Sequence, residues 1–325
     1  MKRRQLLAGA IATLVASNTG LALAQGKYPE RPITIVVPSA PGGTTDFTAR
    51  LIADPLSRAL GQAVVIDNKP GAAGNIGGQI VARAKPDGYT LLLAYSGYQV
   101  GNPHLFKKAG WDPIKDFAPV AMLTKAPQVL TARANLPANS LLELIAYTKA
   151  NPGKLNYASS GNGSIQHIAG ELFKQMTGTF ITHIPYKGAG PAVTDLLGGQ
   201  VDLFFTTPAS VVSQIKADKL KGLAVTSQTR LSSLPQVPTA TESGLKNYNL
   251  DSWFALYAPA GTPADVVQQL NREINKILAT AEVRKKAEDA GTTVETMSAA
   301  QLGDFTRKEL DYWGNVINNA KITAE

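Results

Sequence analysis

Two stretches of the chain place small hydrogen-bond donors where a strand pattern hands over to a helix pattern: SAPGGTTD, residues 39–46, and SSGNGS, residues 159–164. The first turn of a helix leaves backbone N–H groups unpaired and carries partial positive charge, so glycines and hydroxyls there suit an anion. The dipole contributes about 0.3–1 kcal/mol, whereas each hydrogen bond to an ionised carboxylate contributes roughly 1.5–3 kcal/mol. Donated hydrogen bonds therefore dominate the expected chemistry. Gly42 and Gly43 allow close backbone approach, and the hydroxyls of Thr44, Thr45, Ser159, Ser160 and Ser164 add donors. For one such loop, helix capping by Thr45, Asp46 or Ser164 is the better account. Two or three at the ends of neighbouring strands bring a ligand into contention, because open α/β sheets bind there.

Other chemistries lack their signatures. The glycine-rich run NKPGAAGNIGG, residues 68–78, holds neither G-x-G-x-x-G nor a P-loop ending, which disfavours nucleotide binding and reads as a tight turn with a close-packed helix start. No G-x-S-x-G nucleophile elbow is present. His104, His167 and His183 are scattered without metal-ligand spacing, so neither a metal nor a cofactor is expected. His167 falls off the apolar stripe with Glu171 four residues on; it can face a cleft and donate, but a solvated or locally paired ring is the plainer reading.

The elements that must position these loops alternate strand and helix, the pattern of parallel sheets flanked by helices. Strand patterns fall at Ile33 to Val37, Val64 to Asp67, Thr90 to Ala94, Leu155 to Ala158, Phe180 to Ile184, Val201 to Phe205 and Gly222 to Thr226. The helix after the first loop starts near Thr45 and is expected to restart at Asp54-Pro55. Capping signals open helices at Ser140 with Glu143, at Thr262 with Pro263 and Asp265, and at Ser298 with Gln301. Ile165, Ile168, Ala169, Leu172, Phe173 and Met176 mark one face of the helix after the second loop. Two long extended segments, Val120 to Thr131 and Leu250 to Ala258, are the places where the chain could cross between lobes.

Residues 1–24 read as a secretory signal peptide: Lys2, Arg3 and Arg4, an apolar run from Leu6 to Val15, then Ala22-Leu23-Ala24. Adjacent arginines fit twin-arginine export as well as the Sec route. Periplasmic localisation is the expectation. The rest of the 325-residue chain is long enough for two lobes with proper cores. Cysteine is absent, so packing must supply the stability. Three charges of the formal +8 belong to the signal, and the remainder is dispersed without the basic stripe of a nucleic-acid binder.

Long ordered blocks carry a resemblance. YPERPITIVVPSAPGGTTDFTARLIA, NKPGAAGNIGG, PDGYTLLL, ASSGNGSIQHIAGELF and HIPYKGAGPAVTDLLGGQVDLFF resemble the Bug-type substrate-binding proteins of tripartite tricarboxylate transporters, over essentially the whole mature chain. The resemblance implies the type II periplasmic-binding-protein fold: two α/β lobes with central, mainly parallel sheets and a hinge of two crossing segments. Lobe 1 would comprise residues 25–125 with 253–325, and lobe 2 residues 126–252. It further implies that Ser39, Ala40, Gly42, Gly43, Thr44, Thr45 and Asp46 form one wall of the site, with backbone amides around Gly42 to Thr45 taking one carboxylate. Ser159, Ser160, Gly161, Asn162, Gly163 and Ser164 would form the opposing wall. Ser96, His167, Tyr186, Lys187, Thr206 and Thr207 are the candidates for the remaining lining. Lys187 can answer a second carboxylate or be solvated, and Asp46 can meet a ligand amine or cap its own helix. Asp54-Pro55 departs from the continuous helix expected in the family.

The function implied is non-enzymatic capture of a small organic acid by hinge closure, with delivery to membrane permease subunits. A monomer is the default. The same fold serving a membrane sensor, and an exported α/β hydrolase, are the alternatives.

Overall fold

The computed structural model describes residues 28–319 together with 322 and 323. The expected signal peptide lies outside the described residues. The first sheet comprises β1 (Ile33–Val37), β2 (Val64–Asn68), β3 (Thr90–Tyr95), β4 (Phe117–Pro127), β10 (Asp251–Pro259) and β11 (Thr293–Val294), in the order β11-β4-β10-β3-β1-β2. The second comprises β5 (Val129–Arg133), β6 (Asn156–Ser159), β7 (Thr182–Pro185), β8 (Leu203–Thr206) and β9 (Leu220–Val225), in the order β7-β6-β8-β5-β9.

The mixed α/β class is as expected, but the sheets are mixed and not mainly parallel. β1 pairs in parallel with β2 and β3, and β6 with β7 and β8. β10 runs antiparallel to β3 and β4, and β5 antiparallel to β8 and β9. The cause is that β4, β5 and β10 carry the chain between sheets and enter without the helical crossover that parallel pairing needs.

The helix α1 (Thr44–Leu60) runs unbroken through Pro55, so the restart expected at Asp54-Pro55 does not occur. An interior proline costs about 3 kcal/mol. Ala49, Ile52 and Leu56 around it are fully buried against Ile33, Ile35 and Val37. Burial of each large aliphatic side chain contributes roughly 1.5–3 kcal/mol, which outweighs the lost bond. The turn at residues 71–74 leads into α2 (Asn75–Ala82). In the second unit, Ser140 caps α3 (Leu141–Ala150) by accepting from the Glu143 N–H at 3.2 Å. Further on come α4 (Ile165–Thr177) and α5 (Ala189–Leu197).

The carboxyl half returns to the first sheet with α6 (Ala264–Ala279), α7 (Ala281–Asp289) and α8 (Ala299–Asn319). Thr262 does not cap α6. Its hydroxyl donates back to the Pro259 carbonyl at 2.8 Å, leaving Pro263 at the cap position. Ser298 and Gln301 make the full reciprocal box that their spacing predicts, at 2.9 and 3.2 Å.

The chain passes from the first sheet to the second at Gln128 and returns over residues 226–250, so Leu250 to Ala258 is chiefly a first-sheet strand and not itself the crossing. The two passages are tied together. Gln128 donates its N–H to the Thr226 hydroxyl at 2.8 Å and its side-chain amide to Ser252 at 2.9 Å, while Thr226 donates its hydroxyl to the Leu250 carbonyl at 2.6 Å. All three side chains are buried, where such bonds are costly to leave unmade.

Candidate functional site

The carboxyl ends of β1, β3, β6 and β8 converge, and the loops that follow them meet. On the first side, α1 begins after Gly43 with no side-chain cap, so the amides of its first turn are left for another acceptor. Gly42 adopts φ +87, a left-handed conformation that glycine accepts freely. A Cβ on Gly43 would meet the Ala189 Cβ at 3.1 Å, so its bareness lets the opposing wall approach.

Asp46 is buried and fully engaged. It accepts from the Gly42 N–H at 3.2 Å, Asn68 Nδ2 at 3.2 Å and Arg50 Nε at 3.0 Å. The carboxylate organises the loop and leaves nothing for a ligand amine. Ala40 spends its N–H on the Lys187 carbonyl at 3.0 Å, a bond between the two walls. Ser39 is only 4% exposed, and its hydroxyl has no protein partner.

On the second side, loop 159–164 is knotted upon itself. The Ser159 hydroxyl accepts from the Gly161 N–H at 3.0 Å and lies 2.6 Å from His183 Nε2. Ser164 caps α4 by accepting from the His167 N–H at 3.3 Å and donates to the Gly161 carbonyl at 2.7 Å. The Gly163 N–H donates to His167 Nδ1 at 3.3 Å. Only Ser160 of this loop reaches the space between the walls; Ser159, Gly161, Asn162, Gly163 and Ser164 stand behind it.

His167 is neither solvated nor paired with Glu171. Its ring is buried and stacked on His183 at 4.2 Å, while Glu171 serves Tyr157 and Lys174. The linear spacing of the two histidines concealed this contact, which β7 creates by pairing beside β6. Burial lowers both rings, His167 to about 4 and His183 to about 3, with the neighbouring His167 further opposing charge on His183. Ser159 and His183 stand at nucleophile–base distance. However, the hydroxyl is fully buried, and the His183 ring is sandwiched between Tyr157 and His167.

The remaining candidates divide. Thr207 donates its hydroxyl to Thr44 at 2.5 Å, and Thr44 lies 3.2 Å from the Ser210 hydroxyl, so this chain bridges the walls. Thr206 is buried behind, its hydroxyl without a partner. The Ser96 hydroxyl accepts from the Trp253 N–H at 3.2 Å and joins β3 to β10. Tyr186 turns outward to donate to Asp195 at 2.7 Å, a contact that, after burial, helps push its hydroxyl up to about 12. Lys187 is exposed.

Between the walls lies a narrow space of ≈ 10 Å³, about room for a single water, lined by Ser39, Gly43, Thr44, Thr45, Ser160 and Thr207, and by five residues that the sequence reading passed over: Tyr95, Tyr98, Gln166, Ala189 and Phe254. Tyr95 and Tyr98 close strand β3 and its following turn; a tyrosine at the carboxyl end of a parallel strand was the available signal. Tyr98 donates to the Ser160 carbonyl at 2.8 Å, and Tyr95 donates to Gln166 Oε1 at 2.6 Å. Burial raises both phenols, which keeps them protonated. The lining holds no Lys, Arg, His, Asp or Glu. An anion held here is met by amides and hydroxyls, each worth roughly 1.5–3 kcal/mol against a charge. Among the described residues, no group of three or more His, Cys, Asp and Glu side chains could hold a metal ion.

Two α/β sheets whose strand ends enclose a small polar space define a solute-binding protein. The family model described as the tripartite tricarboxylate transporter family receptor, TctC, matches residues 48–322, and the chain belongs to that family, whose members are solute-binding proteins and not enzymes. The structure is similar to periplasmic binding protein BugD, with TM-score 0.88 and 37% identity, covering 91% of this chain and 99% of that one. It is similar to R. palustris Rpa4515 with adipate, with TM-score 0.89 and 37% identity over 91% of this chain and 99% of that one. It is also similar to MatC from Rhodopseudomonas palustris with bound malate, with TM-score 0.85 and 35% identity over 89% of this chain and 100% of that one. The Bug-type resemblance of the sequence blocks therefore holds.

Proposed function

We propose that the protein captures a small dicarboxylate between two lobes in the periplasm and delivers it to the permease of a tripartite tricarboxylate transporter. Lobe 1 is residues 25–125 with 253–325, and lobe 2 is residues 126–252, the tied passages at Gln128 and Thr226 forming the hinge. One carboxylate is held by the Thr44 and Thr45 amides and the Ser39 hydroxyl. Ser160, Gln166 and Thr207 close over the ligand from the other lobe. Residues 1–24 direct export by the Sec or Tat route, and the mature chain acts as a monomer.

The observation that carries this reading is the lining of the narrow space between the walls, which must part to admit a ligand: open first-turn amides on one side, neutral donors on the other and no charged side chain. The structures with adipate and malate support the ligand class. Closure follows if ligand contacts to both lobes exist only in the shut form, since binding then shifts the hinge equilibrium by that difference in affinity.

The test is a thermal-shift screen of the mature chain against C4 to C6 dicarboxylates, followed by calorimetry. A ligand at 100 times its Kd stabilises by about 2.7 kcal/mol. Saturable one-to-one binding of a dicarboxylate supports the reading; no shift with any member of the panel contradicts it.

A further inference from the structure

We propose that Gln166 determines ligand specificity in this cleft by donating its side-chain N–H groups to the ligand's second carboxylate, with Tyr95 as the positioning residue that fixes its orientation. The proposal rests on the carboxylate reading above and adds to it the group that distinguishes a dicarboxylate from a monocarboxylate.

The argument is one of hydrogen-bond accounting. Ile165, the first residue of α4, donates its N–H to the Tyr95 hydroxyl at 2.9 Å. With that oxygen already accepting, the Tyr95 hydroxyl points its own proton elsewhere, and the acceptor it finds is Gln166 Oε1 at 2.6 Å. Reversing the Gln166 amide would place a donor against a hydroxyl already accepting from Ile165 and give up the 2.6 Å acceptor of the phenol proton, leaving it only the neighbouring Ser252 hydroxyl, so the network favours one orientation. The Oε1 end of Gln166 is thereby consumed, and the Nε2 end is left for the space between the walls.

Gln166 is 4% exposed and lines that space opposite Ser39, Thr44 and Thr45. Tyr95 is itself clamped. It is 2% exposed, stacked on Phe254 at 5.5 Å and edge-on to Tyr98 at 5.0 Å, so the hydroxyl cannot swing away without disturbing the core. A rigid donor in a site without cations discriminates by what it leaves unmade. A ligand with a methyl in place of the second carboxylate strands a buried N–H pair, the kind of mismatch that polar sites reject strongly. A ligand that presents an ammonium there meets donor against donor.

Calorimetry on the mature protein tests this with two matched pairs: adipate against hexanoate, and malate against 2-hydroxybutyrate. The wild-type protein is expected to prefer the dicarboxylate of at least one pair by tenfold or more. Gln166→Leu should lower dicarboxylate affinity at least tenfold while leaving monocarboxylate affinity within twofold, so that the preference collapses. Gln166→Glu should lower dicarboxylate affinity further, at least a hundredfold, because a carboxylate replaces the donor. Tyr95→Phe frees the amide to flip, and the same preference should fall three- to tenfold although no ligand-facing donor is removed.

A purely structural role for Tyr95 would weaken both members of a pair alike and overturn its assignment. Dicarboxylate affinities within twofold of wild type in Gln166→Leu and Gln166→Glu overturn the proposal while leaving the carboxylate reading intact. A wild-type protein that binds none of the four acids removes both. If either Gln166 variant fails to fold, as read from its unliganded melting curve, the change of preference in Tyr95→Phe decides.

Discussion

Gly190 stands so close to Pro41 that a Cβ built on it would lie 2.1 Å from the Pro41 carbonyl oxygen. The two residues belong to opposite walls of the cleft, and a backbone oxygen cannot move aside as a flexible side chain can. Gly190→Ala should therefore block full approach of the walls. Affinity for a bound dicarboxylate should fall at least tenfold, about 1.4 kcal/mol, while the unliganded melting temperature changes little. Small-angle scattering should show the wild-type chain contracting on ligand addition and the variant failing to contract. Unchanged affinity in Gly190→Ala would argue that the walls do not meet in the bound state.

Gly43 and Ser164, both glycine-loop candidates by sequence, should separate into different roles. Gly43→Val drives a branched side chain into Ala189 and should remove measurable binding with little loss of stability. Ser164 caps α4 and holds the Gly161 carbonyl without reaching the cavity. Ser164→Ala should cost about 0.5–2 kcal/mol of stability, the usual range for a lost cap, and weaken binding less than tenfold. Denaturant titration alongside calorimetry separates the two, and the opposite assignment would reverse their order.

Stability should fall on acidification because of the stacked histidines. His167 and His183 are held at about 4 and about 3, below the ordinary 6.5, chiefly by burial. Lys174 opposes their protonation, and Glu171 favours it for His167. The unfolded chain takes up protons near pH 6.5 while the folded chain does not. The stabilisation is thus complete above that pH and is lost as pH falls toward the folded values. Between pH 7 and 5, each histidine should cost about 1–2 kcal/mol. Urea titrations at both pH values check this, and the double variant His167→Gln/His183→Gln should flatten the dependence.

Pro55 interrupts the backbone bonding of α1 without breaking the helix. Replacing it by alanine restores an N–H for the Leu51 carbonyl and should stabilise the protein by about 1–3 kcal/mol. A lower melting temperature in Pro55→Ala would show that the ring's own packing matters more than the bond.

The positions of the strands and the two hydroxyl-bearing loops could be read from local pattern, since β-branched runs such as ITIVV and the change to helical spacing after Thr44 are properties of neighbouring residues. The Ser298–Gln301 box is local in the same way. What could not be read depends on contacts across the fold. Tyr95 and Gln166 are 71 positions apart and meet only because β3 and α4 face one another. His167 and His183 stack because β7 lies beside β6. The hydroxyls of Ser159 and Ser164 pointed to a ligand by type, yet Ser159 lies against His183 Nε2 on β7 and Ser164 donates within its own loop. Continuity of α1 across Pro55 was set by burial, which outweighed the local propensity of the proline.

A crystal structure of the complex with the tightest-binding dicarboxylate tests the central claim most directly. One carboxylate should lie within hydrogen-bond distance of the Thr44 and Thr45 amides and the other beside Gln166 Nε2, with a single molecule touching both sheets. A ligand seated on one sheet alone, or outside the space between the walls, would contradict it.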